Sequence, residues 1–390
     1  MGDPGAENSM SITRWRTYLG AMDSELRSSA PTHSVPRGLD LARGFYEDVV
    51  APLLDMPHTA CLIGEGSEVL GYDDEQSRDH EWGPRLQLFV AAGHVDEAQH
   101  VVATSLPMTY RGLSTTWFSL SAGRPTHHVE VSELEAWLRA KLPTIPADPM
   151  STPDPAIWLT LPQQHLLQLT AGAVFRDDLG DLARLRERLA WYPVDIWRWL
   201  IASQWQLLST TVPTLGRSVQ IADELGARIL AARCCRLIIE MALLQERRYR
   251  PYPKWLGRAF AELESADALS PLLHRAMTAT TCGESLDALL EALVVLGDGH
   301  NALDITTPVR PRIAPFEVGI NDAVRPYETL NIGEFVDATI ASVEDPALRD
   351  LSRVGGIDQL THADDQLINF TGWPQILRDD FRRQLTEVRR

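Results

Sequence analysis

Lysine is nearly missing from this chain. Of its 36 basic residues only Lys141 and Lys254 are lysines, so each stands out against an arginine-rich background of the kind GC-rich coding produces. Cysteine is scarce as well. Cys61, Cys234, Cys235 and Cys282 include no C-x-x-C pair, and they read as buried, reduced thiols. No apolar run reaches the roughly 18 residues that a membrane span needs. Residues 1–10 are polar and lack the apolar stretch of a secretory signal. A soluble, cytoplasmic protein is the expectation. Positive charge is in the minority: 53 acidic residues leave a formal net charge of −17. A uniformly acidic surface repels phosphate backbones, so nucleic acid is a disfavoured partner unless a local arginine groove forms. Acidity suits cationic partners, metal ions included.

What is present is enough apolar material, 44% of 390 residues, for two buried cores. Residues 1–9 read as a disordered leader. Residues 15–26 and 39–54 read as amphipathic helices, the second with Leu41, Phe45, Val49 and Leu53 at helical spacing. Residues 59–63 form a short apolar strand that ends in a Gly-Glu-Gly-Ser turn. An extended segment follows over 79–90, then a helix over 95–105 and a strand over 127–131. Ser132, with Glu135 three residues later, has the spacing of a capping box for a helix running to Ala140. A proline-rich stretch, 143–155, marks a boundary. Beyond it the chain reads as almost wholly helical, over 182–191, 194–208, 218–246 and 286–296. Leu230, Cys234, Leu237, Met241 and Leu244 form a core stripe there. The fold class expected is α+β: residues 1–150 a mixed sheet with flanking helices, 151–307 an all-helical domain, and 308–390 an extension packing on the helices.

The chemistry concentrates between residues 64 and 130. A Gly66-Ser67 turn after a strand lets backbone N–H groups approach a phosphate, and the serine hydroxyl adds a donor. Asp79 and Glu81 are two apart on an extended segment, so both carboxylates share a face. Adjacent carboxylates repel unless a cation lies between them, and Mg²⁺ is the usual answer. Glu130, in the alternating run His128-Val129-Glu130-Val131, supplies a third acid for two Mg²⁺ ions that stabilise the attacking and leaving oxygens of an in-line displacement. Arg85 is a candidate phosphate contact. So is Lys254, held in the aromatic, proline-stiffened segment 249–255. His127 and His128 face opposite sides of a strand and cannot share one ion. Asp177 and Asp178 read first as a turn before Gly180 and second as a general base near an acceptor.

Residues 62–89 (LIGEGSEVLGYDDEQSRDHEWGPRLQLF) closely resemble the bacterial family catalogued as domain of unknown function 4037. The resemblance continues through Val129-Glu130-Val131, through 169–193 (LTAGAVFRDDLGDLARLRERLAWYP), through 247–257 (RRYRPYPKWLG) and through His300-Asn301-Ala302-Leu303. The order of strand, Gly-Ser turn, acid pair and later single acid is that of the polymerase-β-like nucleotidyltransferase superfamily. The resemblance implies a nucleotidyltransferase-type sheet followed by a helical domain, similar to small-molecule (aminoglycoside-type) enzymes. It implies Gly66 and Ser67 at the phosphate turn, and Asp79, Glu81 and Glu130 as catalytic metal ligands. The superfamily pair is often two aspartates with an apolar residue between, where this chain has Glu81 and His80. The expected activity is Mg²⁺-dependent transfer of a nucleoside monophosphate, AMP from ATP in the first instance, to a small-molecule acceptor, with release of pyrophosphate. The competing expectations are an inactive nucleotide-binding protein of the same fold and a protein that docks a partner on helices 169–296.

Overall fold

Between Arg85 and Val90 the side chains alternate. Leu86, Leu88 and Val90 point to one side of the strand, Gln87 and Phe89 to the other. Both sides are covered in the computed structural model, which describes residues 37–78, 82–119, 123–146, 148, 151, 153–318 and 323–388. The strands of this region are β1 His58–Leu62, β2 Arg85–Val90, β3 Thr109–Tyr110, β4 Leu113–Ser114, β5 Thr116–Ser119, β6 Arg124–Ser132 and β7 Ala173–Asp177. Five of them form one mixed sheet in the order β5-β6-β2-β1-β7. β1 is antiparallel to β2 and β7, and β6 is parallel to β2 and antiparallel to β5. Strands β3 and β4 pair separately.

Helices α1 (Gly38–Phe45) and α2 (Val95–Ser105) cover the first face. Leu41, Phe45, Ala98 and Val102 pack there against Ala60, Leu86, Leu88, Val129 and Val131. The second face carries Cys61, Ile63 and Phe89, which join Trp137 and Leu138 of α3 (Leu134–Lys141) in the larger core. Residues 39–54 are helical as expected, but the gauge changes. A π turn spans Tyr46–Val50 and a 3₁₀ turn spans Ala51–Leu53; Pro52 brings no N–H to the ladder, and the helix tightens and stops.

Downstream lie α4 (Pro155–Leu159), α5 (Gln163–Thr170), α6 (Asp181–Arg188), α7 (Val194–Gln220), α8 (Glu224–Gln245), α9 (Leu256–Ala261), α10 (Ala266–Thr278) and α11 (Cys282–Ala302). Helices α7, α8, α10 and α11 pack on one another. The core stripe on α8 is buried at Cys234, Leu237, Met241 and Leu244. A hairpin, β8 (Ile313–Glu317) and β9 (Val324–Leu330), leads to α12 (Ile332–Ala341), which packs on α7. The chain ends with α13 (Pro346–Asp350), α14 (Ile357–Thr361), α15 (Asp365–Asn369) and α16 (Trp373–Val388), the last packing on α4. Gly38–Arg390 form one compact unit. No helix among the described residues is long and apolar enough to cross a membrane. All four cysteines are free, and burial raises the thiol pKa of Cys234 to about 12 and that of Cys235 to about 11.

Several local expectations change. Residues 151–307 are not all helical: β7 joins the sheet beside β1, with Thr59 opposite Asp177; in the 308–390 extension, β8 and β9 form a hairpin. The helix expected over 218–246 is two helices. Ala222 adopts φ 58°, and Asp223 then caps α8 by accepting the Gly226 N–H at 3.0 Å. Ser132 does not cap α3. It is the last residue of β6, its hydroxyl is buried without a hydrogen-bond partner, and the N-cap position is Glu133. The leader expected over 1–9, the helix over 15–26 and the residues Asp79, His80 and Glu81 lie outside the described residues.

Candidate functional site

Residues 63–72 turn away from β1 and fold back along the sheet. Gly64 (φ 87°) and Gly66 (φ 130°) occupy backbone conformations that favour glycine. A Cβ on Gly66 would lie 2.4 Å from the Arg85 guanidinium and 2.5 Å from a Glu68 carboxylate oxygen. Glycine therefore lets the turn lie flat on a buried ion pair. Glu68 is 4% exposed. Arg85 Nε donates to Glu68 Oε1 at 2.7 Å, and a terminal nitrogen of the same guanidinium lies 2.6 Å from that oxygen and donates to the Glu65 carbonyl at 2.5 Å. Ser67 is half-buried, and its carbonyl accepts the N–H groups of Tyr72 (2.9 Å) and Leu70 (3.2 Å).

The other flank of the turn is clamped by the loop between α5 and β7. Gly172 donates its N–H to the Val69 carbonyl at 2.9 Å, and a Cβ there would sit 2.0 Å from the Leu62 carbonyl oxygen. Gly64 N–H reaches the Gln168 carbonyl at 2.8 Å. Arg186 donates to the carbonyls of Thr170 (2.7 Å) and Ala171 (2.9 Å), and its burial lowers its pKa from the usual arginine value.

Glu130 comes to the same face of the sheet. The parallel register sets Gln87 opposite Glu130, and strand alternation sends both side chains toward α3. Gln87 accepts the Ile63 N–H at 3.0 Å through Oε1, and its Nε2 donates to Glu130 Oε2 at 3.5 Å. Trp137 Nε1 donates to that same oxygen at 2.9 Å, and Lys141 Nζ lies 3.6 Å from Glu130 Oε1. Glu130 and Lys141 are both close to half exposed. The third expected acid is thus beside the turn and already faces a cation.

The chain on either side of residues 79–81 is well tied. Asp73 Oδ2 accepts the Gly38 N–H (2.9 Å) and the Trp82 indole N–H (3.3 Å). Asp74 Oδ1 accepts the Ser77 hydroxyl (2.6 Å) and its N–H (2.8 Å), and these bonds hold its carboxyl below the ordinary range. Arg78 lies over the Trp82 ring, 4.6 Å from its centroid. Lys254 sits on the short turn Pro253–Trp255, exposed, with its ammonium 4.7 Å from the Trp255 ring centroid. Trp255 packs on Tyr72 at 5.4 Å, and the Lys254 charge helps to keep Asp74 ionised. The helical region therefore delivers Lys254 to the 72–74 end of the turn.

The remaining candidates have ordinary roles. Asp177 accepts from the Thr59 hydroxyl (2.5 Å), Gly180 N–H (2.9 Å) and Ala183 N–H (3.0 Å), so it builds the turn into α6. Asp178 pairs with Arg176 at 2.8 Å. His128 stacks flat on Trp117 with ring centroids 3.8 Å apart, and burial lowers the pKa of His127. Among the described residues no group of three or more His, Cys, Asp or Glu side chains could hold a metal ion. Sequence reasoning missed Glu68, Gln87, Trp137 and Tyr72. Lys141 carried a signal, as one of only two lysines, but its ion pair with Glu130 needed the helix that α3 supplies.

No curated protein and no solved structure matches the chain. Residues 158–256, from α4 to the first residue of α9, are similar to the family model described as Domain of unknown function (DUF4037).

Proposed function

We propose that this protein is a nucleotidyltransferase that moves a nucleoside monophosphate, AMP in the first instance, from a nucleoside triphosphate to an acceptor and releases pyrophosphate. One observation carries most of the weight: Glu130 stands in register with Gln87, on the face where the Gly66 turn closes against Arg85 and Glu68. A glycine turn, an acid pair just before β2 and an acid on the strand parallel to β2 are the parts that phosphoryl chemistry needs in one place.

The donor set suits Mg²⁺, which prefers oxygen ligands shared between carboxylates and phosphates. Asp79, Glu81 and Glu130 would hold it. When bound, the metal would neutralise charge at the α-phosphate and the departing pyrophosphate. Gly66 leaves backbone open to a triphosphate, and Glu68 with Arg85 fixes the turn from beneath. Arg85 is committed to Glu68 and Glu65, so its contribution to phosphate binding is first to hold the turn. Lys254 supplies mobile positive charge at the rim. In the reaction an acceptor oxygen or nitrogen bonds to the α-phosphorus, the bond from that phosphorus to the β-phosphate oxygen breaks, and the acceptor's proton goes to a base.

A second reading is favoured by a specific contact. Lys141 and Trp137 already engage both oxygens of Glu130, an arrangement that a nucleotide-binding protein without turnover could also use. Pyrophosphate release from Mg²⁺-ATP, measured with a panel of hydroxyl- and amine-bearing acceptors for wild type and Asp79→Ala, separates the two. Release that the substitution leaves unchanged contradicts the transferase. Mg²⁺-dependent ATP binding without release, across the panel, favours the second reading.

A further inference from the structure

A cavity of about 270 Å³ opens beside the turn. Val69, Leu70 and Tyr72 of the turn form one wall, and Leu243, Tyr249 and Pro251 face them from the helical region. Tyr249 donates its hydroxyl to the Leu189 carbonyl at 3.0 Å, so that polar end is engaged within the core. Tyr72, Glu262 and Arg248 supply its polar side-chain groups. The Tyr72 hydroxyl donates to Glu262 Oε2 at 2.9 Å, and Arg248 reaches the same oxygen at 3.4 Å. Burial, reinforced by Glu262, raises the Tyr72 pKa to about 12, so the phenol stays protonated and able to donate at neutral pH.

We infer that this cavity seats the ring portion of an uncharged, hydroxyl-bearing aromatic or alicyclic molecule. That molecule is the acceptor if the transferase reading holds; the binding itself does not depend on it. Size points to a ring system larger than benzene, because an engineered apolar cavity of about 150 Å³ already holds benzene. Lining points to an amphipathic ligand, since aliphatic and aromatic side chains share the wall with the Tyr72 hydroxyl, the Glu262 carboxylate and the Arg248 guanidinium. Charge points away from a polycation, despite the net −17 of the chain. Arg248 already neutralises Glu262. The charged side chains of the lining are one arginine and one glutamate, so the cavity offers a polycation no surplus of negative charge. A ligand hydroxyl can exchange hydrogen bonds with Tyr72 and Glu262 while its ring replaces water against Leu70 and Leu243.

The test is isothermal titration of the full chain, without nucleotide, using 2-naphthol as the ring probe and spermidine as the polycation. Saturable one-to-one binding of 2-naphthol and none of spermidine is the expected result. Ala259, buried on the cavity wall, gives the filling variant Ala259→Phe, which should weaken 2-naphthol by roughly tenfold or more. Tyr72→Phe keeps the volume, removes the hydroxyl and should weaken it by roughly two- to tenfold. Failure of 2-naphthol to bind, or undiminished binding in a folded Ala259→Phe protein, overturns the inference. If Ala259→Phe does not fold, Tyr72→Phe decides, and unchanged affinity there overturns it. Binding of 2-naphthol by a protein that releases no pyrophosphate supports the cavity and counts against the transferase.

Discussion

Two charged clusters, one at the turn and one in the helical core, use the same residue types to different ends. At the turn, Arg85 lies between Glu68 and the Glu65 carbonyl, and Glu130 with Lys141 stays close to half exposed. In the helical core, Arg250 is 3% exposed and donates to Glu240 at 2.9 Å, with Asp358 of α14 buried nearby. Asp358 accepts the Gln163 N–H at 2.9 Å through one oxygen; the other oxygen and two Arg250 nitrogens are buried without a protein partner. Water reaches Glu130 and Lys141 in the first cluster, while its Arg85–Glu68 pair and the second cluster are largely covered. On the proposed reading, the open Lys141 of the first cluster is the cation free to turn toward an incoming anion. The second can only hold α8, α5 and α14 together. On the proposed reading, Arg85 beside the glycine turn belongs to the site, while Arg250 belongs to the packing of the helical core.

The contrast breaks most sharply at Arg250. Arg250→Met leaves Glu240 and Asp358 buried without their cation, and should lower stability by about 3–5 kcal/mol. Urea denaturation at neutral pH measures it. Asp358 gives a pH signature. Burial raises its pKa to about 6, above the unfolded value. The stability it contributes is therefore complete below about pH 4 and is lost as pH rises through about 6. Asp358→Asn should flatten that decline, a difference of up to about 3 kcal/mol, visible in thermal midpoints taken from pH 4 to pH 7. A decline of equal depth in the variant would remove Asp358 from the account.

At the turn the effects on stability are smaller and those on ligand binding larger. Gly66→Ala strains a positive-φ backbone and presses on Arg85, at about 1–3 kcal/mol of stability, and it should weaken ATP more than it weakens the fold. Lys254→Ala is the mildest change. An exposed cation contributes little to the fold, so thermal stability should hold while the KM for ATP rises roughly two- to fivefold. An unchanged KM would return Lys254 to the solvent.

The parts of the fold visible in the sequence were those with local periodicity. β1, α2 and β6 follow from alternation or helical spacing within a few residues; the extended segment expected over 79–90 shortens to β2, which starts at Arg85. β7 does not: Ala-Val-Phe-Arg-Asp lies inside a helix-rich stretch, and its partner β1 is more than a hundred residues earlier. The break at Ala222 hid for another reason, since the apolar period runs on across it and only Asp223 with Gly226 marks the new cap. Motif order singled out Gly66, Ser67 and Glu130, and the structure brings the turn and Glu130 to one face. Glu68 was not legible. Its pairing with Arg85 spans 17 residues and depends on how the glycine turn folds back, which no spacing rule reports.

The central claim is a Mg²⁺-dependent triphosphate site at the Gly66 turn, and calorimetric titration with α,β-methylene ATP tests it without an acceptor. Wild type should bind one equivalent in the presence of Mg²⁺ and far more weakly in EDTA. Asp79→Ala and Glu130→Gln should each abolish the Mg²⁺ dependence while keeping the thermal midpoint. Absence of binding to wild type, or Mg²⁺-dependent binding that survives both substitutions, would contradict it.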